Sequence, residues 1–418
     1  MTDPEARTFD RRRFVKLAGA GAGLAVAGPF VARARAATGI PVKVGVMVPT
    51  GSSYSSMGRS LLDGLAMGFD DARTGNSPVS ATIVQADVDR GYGGALSTAQ
   101  GLLDGGADVV VAGISALVAA GIGGLFNDRQ APLVVADVGA QVVQPAAKSD
   151  FVLHNSLLYW HASFAGGQWA AANVGKQAFV ASSLRDSGYD TIYAFRSGFE
   201  AGGGTIVGDG VTHVDPANPG LSELFAAVRG SGADVIYALY SDAQATQFVQ
   251  AYASSGVGAK LVAGSLAVED YLVGSAATGA TSCASWTATR STKANQTFTK
   301  NFKSRTGRAA DPFAALGYDT AMLVAEGVRR ATKQGLGLRR LIDALAGISL
   351  DGPRGTLTID AATNTISGPL YVRQVKKGTA GLANYDVATA ASVASVPDAL
   401  SALADGLASG YVNEYLCT

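Results

Sequence analysis

Apolar residues occupy alternate positions at Val42, Val44, Val46 and Val48, and Pro49-Thr50-Gly51 stops the run. With Gly45 and Met47 between them, these valines predict a buried parallel strand, then a loop, then a helix over 57–72. The alternation of elements continues. Strands are predicted at 81–85, 108–113 and 132–137, with helices at 94–104 and 116–127. A second series starts with a helix over 160–174 and runs through strands at 177–182, 205–208, 234–239 and 260–263, with helices at 189–202, 221–230 and 243–255. Beyond these, 295–333 is helical with an interruption at 307–312, 351–360 reads as a turn and a strand, and 369–378 as a strand ending in a turn. Short β-α repeats predict parallel sheets covered by helices on both faces. Two series of comparable size predict two doubly wound α/β lobes with a cleft between them. Ligands in open sheets bind where loops leave the carboxyl ends of parallel strands, so Ser52-Ser53-Tyr54 forms the first wall of that cleft.

The start of the chain follows a different pattern. Arg11-Arg12-Arg13-Phe14-Val15-Lys16 precedes a Gly/Ala-rich apolar run over 17–31, and Ala34-Arg35-Ala36 completes a small-x-small tripeptide. This is the layout of a cleaved twin-arginine signal peptide over 1–36, with Asp10 standing where Ser or Thr is usual. The apolar run is too short to span a bilayer. The expected route is export of an already folded chain by the twin-arginine machinery, leaving a soluble mature protein with a short helix in its tail at 396–418.

Charge and cysteine content narrow the class. Lys+Arg 33 balance Asp+Glu 33, so nothing attracts nucleic acid or an anionic membrane. Cys283 and Cys417 are the only cysteines, and they are either a disulfide that ties down the tail or two separate thiols. An exported hydrolase would want a Gly-x-Ser-x-Gly elbow, which is absent, and a base from among His154, His161 and His213. No zinc-spaced ligand pair and no phosphate-cradling loop with Lys-Ser/Thr is present, so neither a metal nor a cofactor is expected.

The ordered segments VKVGVMVPTGSSYSSMG, GADVVVAGIS, APLVVADVGA, GYDTIYAFRSGFEAGGG, GADVIYALYSDAQATQFVQAYASSGV, NQTFTKNFKSRTGRAADPFAALGYDTA and GPRGTLTID together resemble the leucine/isoleucine/valine-binding protein family. The resemblance implies a type I periplasmic solute receptor that serves an ATP-driven (ABC) importer, its partner being the permease in the inner membrane. It further implies lobes at 38–156 plus 287–366 and at 157–286 plus 367–395, joined by a three-stranded hinge and followed by the tail at 396–418.

Carried over by position, the resemblance implies that Tyr54 packs on the ligand with Ser52 and Ser53 beside it. It puts Ser115 and Ala116 after the third strand, and Asp137, Gly139 and Ala140 after the fourth, with Ala140 where relatives carry a hydroxyl that holds a carboxylate. In the second lobe it implies Tyr189, Tyr240 and Asp242 near the cleft, and places Leu266 where relatives carry the acid for an ammonium group. A buried zwitterion needs charge-assisted bonds at both ends, so these changes argue against free leucine held in the usual manner. Asp137 or Asp242 are candidate replacements for the acid, and Tyr159, Trp160 and His161 for an aromatic wall. Each has a plainer reading: Ser115 or Asp242 as a helix cap, Asp137 bonding its own loop, Trp160 packed within its helix. The expected ligand is a small polar organic solute, amino-acid-like, a branched or aromatic carboxylate, or an amide. A soluble sensor for a membrane receptor is the alternative role on the same fold.

Overall fold

Parallel pairing begins at the first strand. In the computed structural model, β1 (Ile40–Val48) lies between β2 (Val79–Asp87) and β3 (Val109–Ala112), parallel to both. The structure describes residues 39–51, 55–74, 77–88, 92–143, 148–184, 186, 190–213, 215, 217–272 and 274–390. The predicted signal segment, Cys417 and the tail lie outside these residues.

Helices α1 (Ser55–Ala72), α2 (Tyr92–Asp104) and α3 (Ala116–Arg129) connect the first strands, and β4 (Leu133–Asp137) and β5 (Val152–Ser156) extend the same sheet. The chain then enters a second sheet. Its elements are α4 (Tyr159–Asn173), β6 (Gln177–Ser183), α5 (Thr191–Ala201), β7 (Thr205–Thr212), α6 (Leu221–Ser231), β8 (Val235–Leu239), α7 (Asp242–Ser254), β9 (Lys260–Ala263) and β10 (Thr281–Ala284). It returns to the first lobe through α8 (Lys293–Thr306), α9 (Pro312–Gln334), α10 (Leu341–Leu345), β11 (Ser349–Gly352), β12 (Gly355–Asp360) and β13 (Thr365–Ser367). Finally β14 (Tyr371–Gly378) and β15 (Gly381–Thr389) complete the second sheet. The eight-stranded order is β11-β12-β13-β5-β4-β3-β1-β2 and the seven-stranded order is β15-β14-β10-β9-β8-β6-β7.

The expectation of parallel sheets needs a correction at one edge of each. β11, β12 and β13 pair antiparallel with one another, and β14 pairs antiparallel with both β10 and β15. β11, β12 and β13, and likewise β14 and β15, follow one another through short turns, which permit only antiparallel neighbours, whereas β14 meets β10 antiparallel after the chain has returned from the first lobe. Both sheets are therefore mixed and largely parallel.

Why the helices sit so close follows from small residues at their crossings. A Cβ on Gly317 of α9 would lie 3.0 Å from the backbone N of Leu65 in α1, and one on Gly68 of α1 would lie 2.8 Å from the carbonyl oxygen of Tyr318. The predicted break at 307–312 is a C-cap at Gly307, φ 73°, followed by an N-cap at Asp311 that accepts the Ala314 N–H at 2.8 Å, with Pro312 in the first turn.

The chain passes between the sheets after β5, after β10 and after β13. Two buried guanidinium groups tie these passages. Arg354 donates to Asp319 at 2.6 Å, to the Asn155 side chain at 2.6 Å and to the Ser156 carbonyl. Arg373 donates to Glu269 at 2.8 Å and to the Trp286 carbonyl at 3.2 Å. The Ser285 hydroxyl links the second passage to the first, donating to the Leu157 carbonyl at 2.9 Å.

Candidate functional site

The carboxyl ends of β1, β3 and β4, the first turn of α3 and the start of α4 converge on a cavity of about 420 Å³. The first lobe supplies Pro49, Gly113, Ser115, Asp137 and Ala140, with Met57 and Leu61 from α1 and Phe313 from α9. Opposite them stand Tyr159, Asp186, Leu239, Tyr240, Ser241 and Leu266.

The first-lobe wall is shaped by how α3 begins. The first amide groups of a helix have no partner within it, so side chains must supply one. Ser115, in an extended conformation, accepts the Val118 N–H at 3.3 Å, and Gln141 accepts the Leu117 N–H at 3.2 Å. The backbone amides of Gly139 and Ala116 favour the charged form of the Asp137 carboxylate. Burial outweighs them and pushes the Asp137 carboxyl up to about 7. Asp137 therefore stands at the end of β4 as an enclosed acid with amide partners.

Nearby, parallel pairing of β1 with β2 brings Val48 opposite Asp87. Asp87 accepts the Thr50 N–H at 2.6 Å, the Thr50 hydroxyl at 2.8 Å and the Gly51 N–H at 3.2 Å, which holds its carboxyl below the usual range. It fixes the first two residues of the loop that leads to Ser52, Ser53 and Tyr54.

The second-lobe wall is built from hydroxyls and one acid. Tyr240 stacks on Phe248 with ring centroids 4.3 Å apart, and its hydroxyl accepts the Thr212 hydroxyl at 3.2 Å. Asp186 is buried and accepts Ser183 Oγ at 2.8 Å and Ser241 Oγ at 2.9 Å. Tyr159 Oη accepts the Leu266 N–H at 3.5 Å; a Cβ at Gly264 would lie 2.7 Å from that hydroxyl, so a larger residue there would have to displace it.

Of the residues expected at the cleft, Ser115, Asp137, Ala140, Tyr159, Tyr240 and Leu266 line the cavity. Ala116 and Gly139 stand behind Asp137 and contribute backbone N–H groups. Trp160 is buried against Phe164 and Ala194, its ring stacked on Phe164 at 5.8 Å, and is not part of the lining. Asp242 opens α7 in a left-handed conformation, φ 53°, and is not part of the lining either. Ser52, Ser53, Tyr54 and Tyr189 lie outside the described residues. Asp186, Gln141, Met57 and Phe313 were not anticipated. Asp186 had a detectable signal, since it follows the carboxyl end of β6 just as Ser52 follows β1. Gln141 had the same signal, following β4 and next to Ala140, whereas Phe313 had none, because it reaches the site through the tertiary fold.

The described histidines with shifted titration and the one described thiol sit elsewhere. Burial pushes His154 and His161 down to about 4 and the Cys283 thiol up to about 12, and none of the three lines the cavity. Cys283 is a free, buried thiol. Among the described residues, no group of three or more His, Cys, Asp or Glu could hold a metal ion, and no helix is long and apolar enough to cross a membrane.

A cavity walled by two α/β lobes at the carboxyl ends of their strands agrees with what the chain matches. The profile of the periplasmic binding protein family matches residues 41–380. The chain belongs to the periplasmic binding protein family. This binding protein is 25% identical over 265 residues to Leu/Ile/Val-binding protein homolog 6 of Brucella suis biovar 1, covering 62% of this chain and 67% of that one. Its fold is similar to an ABC transporter substrate-binding protein from Sphaerobacter thermophilus, with TM-score 0.77, 21% identity and coverage of 84% and 97% of the two chains. It is also similar to the solute-binding protein of an ABC transporter from Rhodopseudomonas palustris BisB5 in complex with 3,4-dihydroxybenzoic acid, with TM-score 0.73, 23% identity and coverage of 84% and 98%. A third similar structure, from R. palustris, is in complex with benzoate, with TM-score 0.72, 23% identity and coverage of 84% and 97%.

Proposed function

We propose that this periplasmic binding protein is the solute-capturing component of an ABC importer, and that it takes up a small organic solute in the cavity and presents it to a membrane permease. The observation that carries the reading is the lining itself, which draws on both lobes beside the passages that join them. A ligand that touches both walls favours the closed arrangement over the open one, and closure is the signal a permease can read. The lobes are assigned to 38–156 plus 287–366 and 157–286 plus 367–395, and residues 1–36 to a twin-arginine signal peptide removed after export to the periplasm. The protein acts by binding and catalyses no reaction. A sensor that hands the closed state to a membrane receptor would use the same cavity.

Solved neighbours hold benzoate and 3,4-dihydroxybenzoic acid, and the cavity has the size and apolar lining for a branched or aromatic body of that order. The solute class is amino-acid-like, a branched or aromatic carboxylate, or an amide. Thermal denaturation of the full chain against a panel of such compounds tests the reading. A specific ligand raises the midpoint with concentration. Turnover of a solute, or no shift with any of them, contradicts the reading.

A further inference from the structure

The polar groups of the cavity are unevenly disposed, and the unevenness selects a kind of ligand. The start of a helix is an ordinary place to receive a carboxylate, because its amide groups are unpaired and its dipole favours negative charge. At α3 two of those amides are taken, Leu117 by Gln141 at 3.2 Å and Val118 by Ser115 at 3.3 Å, and the Ala116 amide acts on the Asp137 carboxylate. A carboxylate of the chain already sits where a ligand carboxylate would go. An incoming anion would find those donors engaged by groups of the chain itself.

What the wall offers instead is acceptor capacity. An ionised carboxylate has about four lone-pair sites, and Asp137 gives part of that capacity to the backbone N–H groups of Ala116 and Gly139. Asp186 brings a second carboxylate to the cavity from the other lobe, and Tyr159 and Tyr240 bring phenol oxygens. Met57, Leu61, Leu239, Leu266 and Phe313 supply apolar surface for the rest of a ligand.

We propose, on the solute-binding reading above, that the ligand is a branched or aromatic compound presenting an N–H donor to Asp137, as a protonated amine or a primary amide, and that a carboxylate lacking such a donor is rejected. The two sources of the N–H share one chemistry and differ in charge. An amine would neutralise the enclosed acid outright, whereas an amide would only complete its hydrogen bonding.

Calorimetric titration of the full chain with two matched series tests this: benzylamine, benzamide and benzoate, then isopentylamine, isovaleramide and isovalerate. An amine or amide is expected to bind about tenfold or more tightly than its matched carboxylate, the size of one charge-assisted hydrogen bond. If the amine is the tighter, the donor read is a cation; if the amide, a neutral N–H. Asp137→Asn keeps an acceptor for the Ala116 amide and should lower amine affinity about tenfold. A carboxylate that binds best, or a panel in which no amine or amide binds, overturns the proposal. Leu266→Trp and Leu117→Trp, the latter at an exposed position, fill the cavity and separate the two readings. Carboxylate binding that both variants abolish leaves the site standing and removes only this proposal. Binding that survives in both variants removes the site itself.

Discussion

Buried charge is handled differently at the hinge and at the cavity. At the hinge each guanidinium faces a carboxylate, Arg354 with Asp319 at 2.6 Å and Arg373 with Glu269 at 2.8 Å, and each also reaches a carbonyl in a passage between the sheets. At the cavity, Asp137 is met by backbone N–H groups and Asp186 by serine hydroxyls. The hinge charges are therefore committed to structure, and each pair fixes where a strand leaves its lobe. Asp137 lines the cavity with acceptor capacity of its own, which a group from outside can complete. Burying an acid with neutral donors alone disfavours its ionised form, and a ligand that supplies the missing donor relieves that cost.

Breaking the hinge should have the largest effect. Arg354→Met leaves Asp319 buried without its cation and should cost about 3–5 kcal/mol of stability in chemical denaturation. Adding Asp319→Leu should restore much of that loss, because two apolar groups of similar volume need no charge partner. A single variant as stable as the wild type would show that the pair is not what holds the hinge.

A smaller effect, in ligand-free protein, separates the cavity from the hinge. The Asp137 carboxyl is raised from 3.8 to about 7 by burial, so its contribution to stability is present below 3.8 and is lost as pH rises through 7. The unliganded midpoint of the wild type should therefore fall between about pH 4 and pH 7 relative to that of Asp137→Asn. Parallel curves for the two proteins would mean that Asp137 is well solvated in the open cleft.

The smallest effect is expected at Asp87. Its carboxyl is held low by Thr50 and Gly51, so its contribution is present above 3.8 and is lost as pH falls through the depressed value. Asp87→Asn should loosen the loop after β1 and weaken ligand binding a few-fold, with little change in the midpoint at neutral pH. An unchanged affinity would detach that loop from the site.

The parallel core of each lobe was legible because its strands carry runs of apolar residues, such as 44–48 and 109–112. β5 was not, because its Val-Leu-His-Asn-Ser run carries two buried polar residues. Asn155 is satisfied only in the folded protein, by Thr320 at 2.7 Å and by Arg354. β10, Thr-Ser-Cys-Ala, is hidden for the same reason, since Arg373 and not an apolar face explains the buried Ser282. At the site, Tyr159, Tyr240 and Asp137 could be placed by their position after strands or at a passage between lobes. Trp160 could not be, since adjacent residues on a helix point in different directions and only packing decides which one meets the cavity. Asp242 is in the same position, because a left-handed start to α7 is not written in Ser-Asp-Ala.

Capture by closure is tested most directly by small-angle X-ray scattering of the full chain with and without the tightest-binding solute. A ligand that bridges the two walls should lower the radius of gyration at saturation, and the Leu266→Trp variant should show no such change at the same concentration. A saturating ligand that leaves the radius of gyration unaltered in the wild type would contradict the account.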